Sequence, residues 1–238
     1  MTTMRVTTST APGKPPAHPR WWKRPWMVPL GLVAGIFLVF SVPRYLTLDP
    51  TLSRVPLEDS SPVLYPFVVG HVVFGAIAMI TCCLQVWPWL RQAHPGIHRI
   101  SGRIYVIAGV IPSGILALGM GFIGAFGPMV QTSNVMLSLL WLGFTFAGLR
   151  AARQRRYRQH RRWMIRSFAL TMSIVINRVI GVPIGIWLFT QVDTMFDGNM
   201  DLAMMAVSGV VGWSSWTIAL IAAELWLERQ TPRGSRSA

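Results

Sequence analysis

Carboxylates and cysteines are scarce in this chain. Its 238 residues include eight Asp and Glu and two cysteines, against 22 Lys and Arg. Cys82 and Cys83 are adjacent, which excludes a disulfide framework, and there is no CxxC pair, no CxxCH haem-attachment motif and no zinc-ligand spacing. The chain also lacks GxSxG, HExxH and a glycine-rich phosphate loop, so no hydrolase or transferase motif supports assignment as an enzyme.

Long apolar runs dominate the sequence instead. Hydrophobic residues make up 52% of the chain, and the mean hydropathy is +0.46. Six segments are long and apolar enough to cross a bilayer, near residues 26–45, 65–87, 104–126, 131–149, 164–190 and 203–227. We predict an all-α polytopic membrane protein with six transmembrane helices, in which spans two to five form a central four-helix bundle. The membrane domain covers residues 26–227, between a disordered basic cytoplasmic tail (1–25) and a short cytoplasmic tail (228–238).

The basic residues are sorted to one side of this predicted bundle. Of the 22 Lys and Arg, 19 lie in the N-terminal tail, the second and fourth loops or the C-terminal tail. Because positively charged loops stay in the cytoplasm, both termini are predicted to be cytoplasmic. The cations flank helix ends without base-reading partners, which favours contact with anionic lipid headgroups and argues against a nucleic-acid partner. Glu224, near the same end of span six, is predicted to pair with arginines of the fourth loop.

Polar side chains at membrane depth are few, and the clearest are His71 in span two and the Asn177–Arg178 pair in span five. At ~1.5 Å per residue, His71 lies roughly 9 Å below the outer boundary and Arg178 roughly 22 Å above the inner one. Both therefore fall in the outer half of the membrane. Since no Asp or Glu is expected at that depth, the predicted counter-charge of Arg178 is a small anionic or amphipathic ligand. Asp193 folding inward from its loop is the structural alternative.

Small residues form a stripe in span three. Gly109, Ser113, Ala117, Gly121 and Ala125 recur at every fourth position, a spacing that lets a neighbouring helix approach closely. Pro112 lies beside the stripe and is expected to kink the span.

Two similar segments lie at the cytoplasmic entries of spans three and five. Residues 98–105 read His-Arg-Ile-Ser-Gly-Arg-Ile-Tyr, and residues 160–167 read His-Arg-Arg-Trp-Met-Ile-Arg-Ser. Their similarity suggests that spans two–three and four–five are parallel repeats about an axis along the membrane normal. The repeat places His98 and His160 at the same depth.

These segments, together with His71, Gly75, Gln85 and Arg91, resemble the bacterial multipass membrane family catalogued as domain of unknown function 2306. The resemblance covers roughly residues 65–190 and is most specific in the segment beginning at His160. It implies a helical protein of the bacterial cytoplasmic (inner) membrane. The family carries no established activity, so the resemblance implies no catalytic residue.

A looser likeness is to four-helix cytochromes of the b561 type, which transfer electrons through haem b held by two histidines. It implies His98 and His160 as iron ligands, with propionates near Arg99, Arg103, Arg161 and Arg166. A second haem is not supported, because Ser133 stands where the partner of His71 would lie. Three interpretations stay open: a ligand-binding or transport protein around His71 and Arg178, a haem-dependent electron carrier, and a structural membrane protein.

Overall fold

The computed structural model describes residues 25–55, 57, 62–124 and 127–230, and within these ranges the chain is helical, with connecting turns and no strand. Six segments are long and apolar enough to cross a membrane, which confirms the predicted all-α fold and the number of spans. They are Met27–Leu46, Leu64–Val86, Pro95–Ile123, Pro128–Arg153, Tyr157–Phe189 and Met200–Arg229. Most of the two predicted tails (residues 1–24 and 231–238) lies outside the described residues.

Two of the spans are interrupted helices. Span one consists of Met27–Ser41 and Pro43–Leu46. Span three begins as an α-helix at Pro95–Ile104, widens into a π-helical segment at Tyr105–Val110, and continues as an α-helix at Ile111–Ile123. The short helices between spans are Pro50–Leu52 (3₁₀), Pro88–Ala93 and Val192–Met195.

Local sequence explains where several helices begin. Pro95 and Pro128 stand at the first turns of spans three and four, where a missing N–H costs nothing and a fixed φ favours the helix. Gly127, with φ at +81°, makes the turn that precedes span four, because a left-handed backbone favours glycine. The Asn199 side chain accepts a hydrogen bond of 3.0 Å from the Leu202 N–H and so caps span six.

The predicted small-residue stripe brings spans two and three close together. A Cβ added to Gly109, within the π-helical segment, would lie 2.8 Å from the Ala78 Cα. Glycine at this position therefore permits the backbones to approach. Farther along the stripe, Ser113 contacts His71, and a Cβ at Gly121 would meet Val135 of span four.

Each span from the second onward packs against the next one, and span six also packs against span four. The buried core joins five of the spans, through Ala78, Cys82, Tyr105, Val106, Val110, Trp141, Leu170 and Trp216. Span one contacts spans two and five. Trp216 thus brings span six into direct contact with the core, and the division into a four-helix bundle with two flanking spans remains an interpretation.

The surface of the spans is apolar. Ile107, Phe122, Phe146, Val179 and Trp187 are between 58% and 70% exposed, which an aqueous protein avoids and a lipid-facing surface requires. One end of the bundle carries residues 87–94 and 154–156 and the end of span six, and is here called the arginine-rich end. The other, with residues 47–55, 57, 62–63, 124, 127 and 190–199, is the opposite end.

Candidate functional site

His71 is bound to the neighbouring helix. Its Nδ1 lies 3.0 Å from both the carbonyl oxygen and the hydroxyl oxygen of Ser113. The Ser113 hydroxyl in turn donates to the His71 carbonyl at 3.1 Å. Because a carbonyl only accepts, Nδ1 carries the hydrogen and Nε2 presents a lone pair. These bonds hold the ring of His71 against span three.

Arg178 lies in a group of cationic side chains near the opposite end. Arg54, Tyr45 and Arg44 are close enough to act on it electrostatically. We call Arg44, Arg54 and Arg178 the arginine cluster. The Arg178 side chain is exposed, whereas Arg44 is half-buried and Tyr45 is buried. The cluster therefore joins span one, the loop after it and span five.

Two buried polar atoms beside this cluster lack partners. Neither the Nε of Arg44 nor the hydroxyl of Tyr65 has a hydrogen-bond partner among the described residues. One carboxylate, Asp49, acts electrostatically on Tyr65. Hydrogen bonds from the Thr51 side chain and backbone hold the pKa of Asp49 below its usual value, so this carboxylate is charged at neutral pH.

The predicted partnership of His71 and Arg178 is not made by a direct contact between described residues. The polar partner of His71 is Ser113 of span three, whereas the electrostatic neighbours of Arg178 are on span one and its loop. Asn177 is half-buried next to Arg178. A joint site of these three residues stays a prediction.

His98 and His160 come together at the arginine-rich end. They lie close enough for His160 to act electrostatically on His98, as does Arg91. The Nδ1 of His160 is 2.8 Å from the Gly148 carbonyl, so Nδ1 donates and Nε2 presents a lone pair. The Nδ1 of His98 is buried without a partner in the described ranges. Gln85 fixes the backbone nearby, with its Nε2 donating to the His98 carbonyl at 2.8 Å.

Two of the four arginines assigned to propionates have protein partners. Arg166 forms a two-pronged ion pair with Glu224, which includes an Nη2–Oε2 distance of 2.8 Å, and this confirms the predicted pairing of Glu224. Arg161 donates to Gln230 at 2.8 Å and stacks on Trp226, 5.2 Å from the ring centre. Arg99 and Arg103 are exposed.

Within the described ranges, no group of three or more His, Cys, Asp or Glu side chains is placed to hold a metal ion. A haem iron requires only two axial histidines. Two histidine ring nitrogens would therefore suffice to hold a haem iron.

A buried network of hydroxyl groups is the feature that the sequence interpretation missed. The Tyr105 hydroxyl lies 2.6 Å from the Ser167 hydroxyl and 2.9 Å from that of Thr171. Trp141 donates to Thr171 at 3.0 Å, and Thr145 lies 2.6 Å from Ser167. Tyr105 and Ser167 are the last residues of the two similar segments. This equivalent position was the signal in the sequence that could have indicated a contact between them.

Comparison with known proteins identifies a matching family. The profile of the family described as "Predicted membrane protein (DUF2306)" matches residues 68–227. No curated protein and no solved structure matches the chain.

Proposed function

This chain belongs to the family of predicted membrane proteins described as DUF2306, and we propose that it binds a small anionic, amphipathic molecule at the arginine cluster. The observation that carries this proposal is that Arg44 and Arg54, on span one and the loop after it, lie within electrostatic reach of Arg178, because span one packs against span five. Like charges repel, and a guanidinium next to apolar surface needs a counter-charge. A carboxylate or phosphate group would supply it and accept paired hydrogen bonds from an arginine.

An apolar portion of the ligand follows from the surroundings of the cluster. Tyr45 packs with Leu64 and Val68 in a buried group of side chains at this end. The two unpartnered atoms, Arg44 Nε and Tyr65 hydroxyl, offer donors at the same place. His71 and Asn177 are proposed to line the deeper part of the site, since both lie farther into the membrane on spans two and five.

The first experiment uses dodecyl phosphate as the anionic probe and dodecanol as its neutral match, with full-length protein in nanodiscs. Loss of one charge-assisted contact in Arg178→Gln should weaken dodecyl phosphate binding about tenfold or more. Arg178→Lys should retain part of the affinity. Arg103→Gln, an exposed arginine at the other end, is the matched control and should change binding less than about twofold.

Two results would contradict this proposal. Equal binding by wild type and Arg178→Gln removes the arginine from any ligand site. Glu58 and Asp59 lie in the loop after span one, outside the described residues, and are the competing internal counter-charges. If Glu58→Gln/Asp59→Asn destabilises the protein as much as Arg178→Gln does, and wild type shows no preference for the phosphate probe, the cluster has an internal partner instead.

Haem b at His98 and His160 is the second candidate function. Its support is the proximity of the two rings, with a Nδ1–H tautomer fixed in His160 and an unpartnered buried Nδ1 in His98. Those two residues would hold the haem iron. Arg99 and Arg103 remain for propionates, whereas Arg161 and Arg166 would have to leave Gln230 and Glu224. Bound haem would supply reversible one-electron transfer, which is the oxidoreductase interpretation.

A visible spectrum of purified protein tests the haem proposal, oxidised and then reduced with dithionite. The proposal expects a reducible low-spin haem b band that is lost in His98→Ala and in His160→Ala. His94→Ala, four residues before His98 and exposed, is the control that should keep its colour. A colourless protein after haem supplementation would refute the haem proposal. If dodecyl phosphate also fails to bind, the interpretation as a structural membrane protein remains.

The protein is embedded in a lipid bilayer. We further propose the bacterial cytoplasmic membrane, with both termini in the cytoplasm and anionic headgroups around the arginine-rich end. The support is the distribution of charge along the sequence, because 19 of 22 cations fall in the tails and loops that are predicted to be cytoplasmic.

A further inference from the structure

A cavity opens between the inner ends of spans five and six, at the arginine-rich end and therefore away from the arginine cluster. It has a volume of about 380 Å³. It is lined by Arg158, Gln159, Arg161, Arg162, Leu227 and Gln230, and the surface that these side chains present to it is mainly apolar. Three arginine side chains thus contribute to one cavity at the end of the bundle, with their apolar stems forming part of its wall.

One of these guanidinium groups is held in position. Arg161 donates to Gln230 and lies over the Trp226 ring. A side chain fixed on both sides loses little freedom when a ligand binds. Arg158 and Arg162 lie on the same first turns of span five, one before and one after Arg161 in the sequence.

The chain has few carboxylates that would neutralise this cavity. In the complete sequence, the predicted arginine-rich side contains only Glu224 and Glu228, and residues 1–24 and 231–238 contain no Asp or Glu. Glu224 is bound by Arg166 and also lies within electrostatic reach of Arg162. Glu228 is exposed. Two carboxylates do not balance the four arginines Arg158, Arg161, Arg162 and Arg166, so a positive charge remains.

We propose that the cavity binds the phosphate headgroup of an anionic glycerophospholipid. Arginine matches phosphate oxygens with paired N–H donors, and basic pockets between spans at a membrane surface suit lipid headgroups. Next to the cavity, the Trp226 ring lies under Arg161 and is 43% exposed, and its sequence neighbour Leu225 is 53% exposed. Those side chains provide a place for the first acyl carbons. This site does not depend on the ligand proposed at Arg178.

The test measures lipid binding to the full-length protein by native mass spectrometry. The probes are phosphatidylglycerol and phosphatidylcholine with identical acyl chains. Wild type should prefer phosphatidylglycerol, and Arg158→Gln/Arg162→Gln should reduce that preference about fivefold or more. Arg153→Gln/Arg155→Gln removes the same charge from the same end without touching the cavity lining. It should leave the preference within about twofold of wild type.

Two further measurements check that the variants fold and that the bound phosphate belongs to a lipid. Arg158→Lys/Arg162→Lys should keep most of the preference, and melting temperatures show whether each variant is folded. If the glutamine pair misfolds, Arg158→Gln alone is used, because Arg158 is exposed. Equal losses in cavity and control variants would refute a specific site. Displacement of phosphatidylglycerol by millimolar inorganic phosphate would also overturn the proposal, since the cavity would then take free phosphate.

Discussion

The hydroxyl groups of Tyr105 and Ser167 lie 2.6 Å apart, although the residues are 62 positions apart in the chain. The same offset separates His98 and His160, which also come close to each other. Residues at equivalent positions of two repeats face each other when they lie near the axis that relates the repeats. Both pairs therefore support the interpretation of spans two–three and four–five as parallel repeats.

Removal of the Tyr105 hydroxyl should loosen the centre of the bundle. Tyr105→Phe deletes the contacts to Ser167 and Thr171 and leaves their hydroxyl groups with fewer partners. We expect a loss of about 0.5–1.5 kcal/mol in the free energy of unfolding, measured by denaturation in mixed micelles. Tyr157→Phe, on an exposed ring, should be neutral. Additive effects of Tyr105→Phe and Ser167→Ala would show that the two hydroxyl groups are not coupled.

A methyl group at Gly109 should separate spans two and three. Gly109→Ala places a Cβ 2.8 Å from the Ala78 Cα, and a backbone atom cannot move aside as a flexible side chain can. The expected destabilisation is about 1–3 kcal/mol. At Gly143 an added Cβ would meet no other atom within 4 Å. Gly143→Ala should therefore be neutral or slightly stabilising. Equal thermal stability of the two variants would contradict the close approach.

The ion pair of Arg166 and Glu224 should give a measurable but small coupling energy. The Glu224 side chain is 41% exposed and that of Arg166 is 15% exposed, so water weakens their attraction. A double-mutant cycle of Arg166→Gln and Glu224→Gln should give about 0.5–1 kcal/mol. Glu228→Gln, combined with Arg166→Gln in the same way, serves as the reference and should give no coupling.

The proposed orientation can be measured with single cysteines. After Cys82→Ala and Cys83→Ala, Gln154→Cys marks the arginine-rich end and Thr190→Cys marks the opposite end, both at exposed positions. In intact spheroplasts, a membrane-impermeant maleimide should label Thr190→Cys and not Gln154→Cys. Detergent should then make Gln154→Cys reactive. The reverse pattern would show that the arginine-rich end faces outward, contrary to the positive-inside rule.

Most of the fold can be predicted from the sequence, because the number of spans depends on the hydropathy and length of its segments. The spacing of Gly109, Ser113 and Gly121 likewise predicts a packing face. The pairing of Glu224 with a fourth-loop arginine follows from charge and depth alone.

The rest depends on geometry that spacing does not encode. The π-helical segment at Tyr105–Val110 is not predicted from the sequence, since the pattern indicates only a kink beside Pro112. Arg44 and Arg54 approach Arg178 only because span one packs beside span five. Helices far apart in sequence have many possible neighbours. The members of the arginine cluster therefore cannot be predicted from the sequence.

The pairing between spans five and six also has a consequence for synthesis. Arg166 precedes Glu224 by 58 residues, so this arginine leaves the ribosome before the carboxylate that pairs with it. Lipid phosphates at the arginine-rich end are available counter-charges for the guanidinium during this interval. Span six then brings the carboxylate that pairs with Arg166 in the folded protein. A helix that is synthesised later therefore supplies the counter-charge of a helix synthesised before it.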